Sequence, residues 1–219
     1  MVHEVVKLFL EAFILSSAIF LAGLFLGLMF DTWRSDEVTA TIADVEAELT
    51  DISQISHFVG DKNVCSWLYD KLLQLNDRLY EEGRKIEEYE AANKLTSAVV
   101  AQKRRYIALK ALFLSLIERL KQECNYDYHI VIHFYKRYRA SKQELAMDRA
   151  TAEALLETKY SCGPSMILVP LQVDLNLMTV DYLVNRYGIT AFPAVVIDGN
   201  VVSQGRILSR EELRQLLGC

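Results

Sequence analysis

Between Gly188 and Gly199 the chain reads Ile189-Thr190-Ala191-Phe192-Pro193-Ala194-Val195-Val196-Ile197-Asp198, an apolar run broken by a single proline. Few folds accommodate such a run. Gly188 ends a helix. Val195-Val196-Ile197 is a buried strand, Asp198-Gly199-Asn200 has the chemistry of a tight hairpin turn, and Val201-Val202 returns as a short strand. A proline inside strand-forming sequence is confined to an edge, a first position or a bulge. A cis bond at the head of the strand is one way to keep it there.

The neighbouring segments fall in a definite order. Tyr128 to Tyr135 reads as a buried strand, Ser141 to Lys159 as a helix, Met166 to Val173 as a second strand and Met178 to Tyr187 as a second helix. The proline hairpin follows, then a last helix from Ser209 to Leu217. This βαβαββα order resembles the thioredoxin fold, and Tyr187 to Gly199 is similar to the stretch around that superfamily's cis-proline. The resemblance covers Asp127 to Cys219. It implies an α/β thioredoxin-like C-terminal domain, residues 125–219, built on a central mixed four-stranded sheet. It also implies a peptide-binding edge, with Phe192 and Pro193 offering their backbone and Tyr135, Tyr138 and Arg139 beside it. An extended partner chain added there is β-augmentation, which needs no thiol.

The likeness stops where the superfamily does its chemistry. Thioredoxin-like oxidoreductases carry Cys-x-x-Cys between the first strand and the first helix. Here Tyr135 to Glu144 holds no cysteine, and Ser141-x-x-Glu144 is a capping box instead. The dithiol activity therefore does not carry over. The expectation is a non-catalytic protein-binding or assembly module rather than an enzyme. The alternative is a single-cysteine thiol–disulfide oxidoreductase acting through Cys162 or Cys219. Tyr160-Ser161-Cys162-Gly163-Pro164-Ser165 has a superficial likeness to Cys-Gly-Pro-Cys, but it follows the first helix instead of preceding it.

Ala12 to Phe30 is nineteen residues without a charge, bracketed by Glu11 and Asp31 with Trp33 beyond. At 1.5 Å per residue it spans roughly 28 Å, close to a hydrocarbon core. The run is long for a signal peptide and no small-x-small cleavage site follows it. The expectation is a single-pass anchor, residues 1–34, with the bilayer as partner. Lys7 against Arg34 among Asp31, Asp36 and Glu37 leans toward a cytoplasmic N-terminus and an extracytoplasmic C-terminal domain. Gly23 and Gly27 form Gly-x-x-x-Gly, which opens the possibility of a homo-oligomer.

Residues 35–124 read as helical. Val38, Ile42, Val45, Leu49 and Ile52 form a heptad-like seam, over too few heptads to require a coiled coil. That helix is expected to end near Phe58, with Gly60-Asp61 as stop and new cap. A second helix then runs from Lys62 to about Ala91 with Leu68, Leu72, Leu75, Leu79 and Ile86 inward. Asn93 breaks the chain, and a third helix to about Gln122 carries Leu95, Val99, Tyr106, Leu109, Phe113, Leu116 and Leu120. The first seam finds cover either on this hairpin or on a partner chain. Glu81-Glu82, Glu87-Glu88 and Lys103-Arg104-Arg105 read as solvated faces.

An antiparallel hairpin turning near Asn93 brings Cys65 and Cys124 to the same end. By the thioredoxin resemblance, Cys162 and Cys219 both end helices on one face of the sheet, which implies a second bridge. Each bridge closes a long loop and contributes roughly 4 kcal/mol in the chain-entropy model. Bridges persist in oxidising compartments. Four buried free thiols are the other reading.

Little else carries chemistry. His129 and His133 share a strand face but lack a third metal ligand nearby, so no metal and no cofactor is expected. Lys136, Arg137, Arg139 and Lys142 crowd a helix start, which reads as a solvated basic loop or as an anion seat. A net charge of −5 argues against a nucleic-acid partner. There is no Gly-rich phosphate loop, Gly-x-Ser-x-Gly or His-Glu-x-x-His.

Overall fold

Helix α1 runs from Val2 to Ile55, followed by α2 (Lys62–Ala91) and α3 (Ser97–Cys124). The computed structural model describes residues 2–55, 62–91 and 97–219. Phe58, the Gly60-Asp61 stop, Asn93 and Leu95 lie outside the described residues, as do the side chains of Trp33 and Val38. The chain divides into two compact units, Met1–Ala43 and Asp44–Cys219.

In the first unit, Phe9–Met29 is long and apolar enough to cross a membrane. Its large side chains are exposed, Phe13 and Phe20 each at 70 %. A solvated helix of that composition has no apolar surface of its own to cover it.

The second unit begins inside α1. Val45, Leu49 and Ile52 are buried there. Glu46 accepts from Arg105 Nε at 2.6 Å, and Glu48 pairs with Arg78. Val45, Leu49 and Ile52 of the seam thus lie on the part of α1 that meets both helices of the hairpin. In α2, Leu68, Leu72, Leu75, Leu79 and Ile86 are buried as expected, against Tyr106, Leu109, Phe113, Leu116 and Leu120 of α3. Cys65 and Cys124 are bridged at the open end, with Cα atoms 5.8 Å apart. Gly83 sits mid-helix because a Cβ there would press on the Tyr106 ring, 2.7 Å from Cζ.

The remaining elements are β1 (His129–Tyr135), α4 (Lys142–Cys162), a 3₁₀ turn, β2 (Met166–Gln172), α5 (Met178–Arg186), β3 (Ala194–Ile197), β4 (Asn200–Gln204) and α6 (Arg210–Leu217). They form a four-stranded sheet in the order β2-β1-β3-β4. β1 and β2 are parallel from His129↔Met166 to Tyr135↔Gln172. β3 is antiparallel to β1, with Ile132 opposite Val196, and β4 is antiparallel to β3. The Phe192–Pro193 bond is cis. Asp198 and Gly199 both take positive φ, 47° and 83°, as a two-residue hairpin turn requires.

Side chains alternate across the sheet. Val131, Val195 and Ile197 join Leu155 of α4 and Leu213 and Leu217 of α6 in one core. On the other face Phe134 meets Tyr187 at 6.2 Å, next to α5. The Tyr187 hydroxyl reaches Glu118 of α3 at 3.4 Å. Cys162 and Cys219 are bridged where α4 and α6 end, with Cα atoms 5.3 Å apart. At the β2 edge, α3 packs along the strand. Edge strands expose unpaired backbone and tolerate proline. Pro170 stands there, opposite His133, and the hairpin covers the edge.

Candidate functional site

The junction between β1 and α4 is closed by the chain's own groups. Ser141 Oγ accepts from the Glu144 amide at 3.1 Å, and Glu144 accepts from the Ser141 amide at 2.7 Å. Glu144 also takes Lys136 Nζ at 3.0 Å. The Ser141 amide, followed by Lys136, holds the Glu144 carboxyl down at about 2. Ahead of the helix, the amides of Arg137, Tyr138 and Arg139 all donate to Asp174 Oδ2, at 3.1, 2.6 and 2.8 Å. Such a nest of backbone amides binds anions. The anion seat, one of the two readings of Lys136, Arg137, Arg139 and Lys142, is therefore occupied from within, by two carboxylates of the chain itself. No sulfur lies in this stretch, and all four cysteines are bridged elsewhere.

The residues expected along a peptide edge go to different places. Pro193 is buried and Phe192 half-buried. Lys136 Nζ stands 4.8 Å from the Phe192 ring. Tyr138 turns to the helical hairpin, where its hydroxyl donates to Glu90 Oε1 at 2.6 Å. Burial and that carboxylate push the hydroxyl's pKa up. Arg139 reaches Asn176 Oδ1 at 3.3 Å. Tyr135 stacks on His133 at 5.6 Å. Phe192, Pro193 and Lys136 thus share one mouth, while Tyr135 and Tyr138 lie toward α2 and α3.

His129 and His133 also separate. His129 Nδ1 lies 2.6 Å from Asp198 Oδ2. Asp198 Oδ1 accepts from the Ile130 amide at 3.0 Å and from Lys121 Nζ at 2.8 Å. Burial raises the Asp198 carboxyl, but the Ile130 amide, Lys121 and His129 outweigh it and hold the group below its usual range. A turn residue in the sequence thereby ties α3, β1 and the hairpin together. His133 Nε2 instead lies 3.0 Å from Asp148 Oδ1, out of line for a hydrogen bond.

The charged run at Lys103 needs correction. Arg104 and Arg105 are exposed, but Lys103 is 1 % exposed and pairs with Glu90 Oε2 at 3.0 Å. Glu82 is likewise buried. Lys103 falls on the same stripe as Tyr106 and Lys110, so a lysine three residues before and another four residues after an aromatic was the available signal.

Below that stripe lies a cavity of about 570 Å³ that sequence reasoning missed. Its walls come from α2, α3, β1, α4 and β2, and include Leu145, Leu156, Leu168 and Pro170. Lys110 projects into it at 9 % exposure. The face of Tyr106 lies 4.6 Å from Lys110 Nζ. Burial pulls the Lys110 ammonium down to about 7, against the field of Glu87.

Residues 171–218 match a family model described as a thioredoxin domain. The match takes in α5, the cis-proline segment, β3, β4 and α6, and begins beyond the β1–α4 junction. With the sheet order above, it makes the C-terminal domain thioredoxin-like. No curated protein matches the chain.

Proposed function

We propose that this chain is a membrane-anchored, thioredoxin-like protein that holds polypeptide segments and exchanges no thiols with them. The observation that carries the reading is the β1–α4 junction, where Ser141, Glu144 and Asp174 occupy the positions a reactive cysteine pair would need. A nucleophilic thiolate draws on a helix N-terminus for its stability. Here that terminus is spent on two carboxylates. The bridged state of Cys162 and Cys219 supports the same reading.

The docking edge would be the backbone at Phe192. It makes no hydrogen bond within the described residues, while the neighbouring Pro193 carbonyl is taken by the Gly205 amide at 2.8 Å. An extended partner chain would pair with Phe192 and pass Lys136. Phe9–Met29 would anchor the chain in the bilayer, with the N-terminus cytoplasmic and the thioredoxin-like domain on the oxidising side, where bridges persist.

A photo-crosslinking amino acid at position 192 of the full chain, in native membranes, tests this. The expected result is discrete polypeptide adducts from position 192 and none from exposed Met178. Absence of any adduct from position 192 would contradict it, and disulfide-linked adducts that form without irradiation and are lost in Cys162→Ser or Cys219→Ser would replace this reading with that of a single-cysteine oxidoreductase.

A further inference from the structure

Two lysines two turns apart on α3 are both buried, and their surroundings differ. Lys103 is 1 % exposed and has Glu90 at 3.0 Å. Lys110 is 9 % exposed, and its ammonium has no hydrogen bond or ion pair within the described residues, only the Tyr106 ring. Buried charges in proteins are paired or bind something. Of the two lysines, Lys110 is the one left open, and it opens on the cavity.

The cavity's other features narrow what could complete the pair. Its volume, about 570 Å³, is that of a small-molecule site, and its walls are mainly apolar. Leu145, Leu156, Leu168 and Pro170 would contact an apolar body. The acids around it are Asp77, Glu87 and Glu153, which are exposed, and Asp148, which is half-buried beside His133. They disfavour a dianion such as phosphate more than a single carboxylate. Burial already draws Lys110 toward the neutral amine, and a carboxylate in the cavity restores the charged form.

From this geometry we infer that the cavity between the hairpin and the β1–β2 edge binds a small monocarboxylate with an apolar body, its carboxylate on Lys110 Nζ. This site is separate from the Phe192 edge and does not depend on peptide binding there.

The test uses the full chain in lipid nanodiscs, titrated calorimetrically with 2-naphthoate and with neutral 2-naphthamide, after subtraction of empty discs. The expected result is saturable 2-naphthoate binding that Lys110→Met weakens by at least about tenfold, while 2-naphthamide binding changes by less than about threefold, as loss of a charge-assisted contact predicts. The substitution keeps length and removes a buried unpaired charge, so folding is expected to survive. A measurement on the unaltered protein stands beside it. Saturating 2-naphthoate should slow reductive methylation of Lys110, read by peptide mass spectrometry, and leave exposed Lys142 unchanged. Three results overturn the proposal: no saturable binding, equal 2-naphthoate affinity in Lys110→Met, or unprotected Lys110. Inorganic phosphate binding as tightly as 2-naphthoate would overturn the ligand class.

Discussion

The hydroxyl of Tyr138 donates to Glu90 across 2.6 Å, and the other oxygen of Glu90 takes Lys103 at 3.0 Å. One carboxylate on α2 thereby holds a buried lysine of α3 and a tyrosine of the β1–α4 loop. The hairpin and the thioredoxin-like sheet are joined at the place where the fold elsewhere keeps its cysteines.

Removing Glu90 should cost far more than removing either hydrogen bond. Glu90→Ala strands the Lys103 charge in the interior and is expected to destabilise by about 3–5 kcal/mol. Tyr138→Phe loses one hydrogen bond to a charged group, about 1.5–3 kcal/mol. Glu90→Leu with Lys103→Met removes both charges and should recover most of the loss. Urea unfolding of the three variants orders them. Equal losses in Glu90→Ala and Tyr138→Phe would mean that the lysine finds another partner.

The capping carboxylate makes an acid-range signature. Glu144 titrates at about 2 when folded, against 4.5 in an unperturbed side chain. A depressed carboxyl stabilises the fold fully above its unfolded value and loses that contribution as pH falls toward the folded one. Midpoints measured from pH 6 to pH 2 should therefore drop more steeply in the natural chain than in Glu144→Gln, with the curves parting below about pH 5. Parallel curves would remove Glu144 from the account. At neutral pH, Ser141→Ala should cost about 0.5–2 kcal/mol through the same box.

Gly83 offers a test in which propensity and packing oppose each other. Alanine in a helix interior is worth about 1 kcal/mol over glycine. At this position its methyl would meet the Tyr106 ring, 2.7 Å from Cζ. Overpacking typically costs about 1–3 kcal/mol, so Gly83→Ala should come out net destabilising or near neutral in thermal melts. A clear rise in Tm would show that Tyr106 has room to move.

What could be read from the sequence was local, or repeated on a known frame. The Ser141–Glu144 box spans three residues and is written in the chain. The Leu68 to Ile86 stripe follows helical period. The strand order and the Cys162–Cys219 bridge came with the likeness around Pro193. The parts that escaped depend on distant partners. Lys103 sits in a basic triplet that looks solvated, and only Glu90, thirteen residues earlier on another helix, makes its burial tolerable. Asp174 caps amides 35 to 37 residues before it, which no short pattern announces. The cavity at Lys110 arises where five elements fail to meet, and an absence of atoms leaves no trace in composition.

The most direct test is peptide mapping of the unreduced full chain, alkylated near neutral pH before proteolysis and analysed by mass spectrometry. The account predicts two cross-linked peptide pairs, Cys65 with Cys124 and Cys162 with Cys219, and no alkylated cysteine. Rapid alkylation of Cys162 or Cys219 would reveal a reactive thiol and contradict a thioredoxin-like domain that works without one.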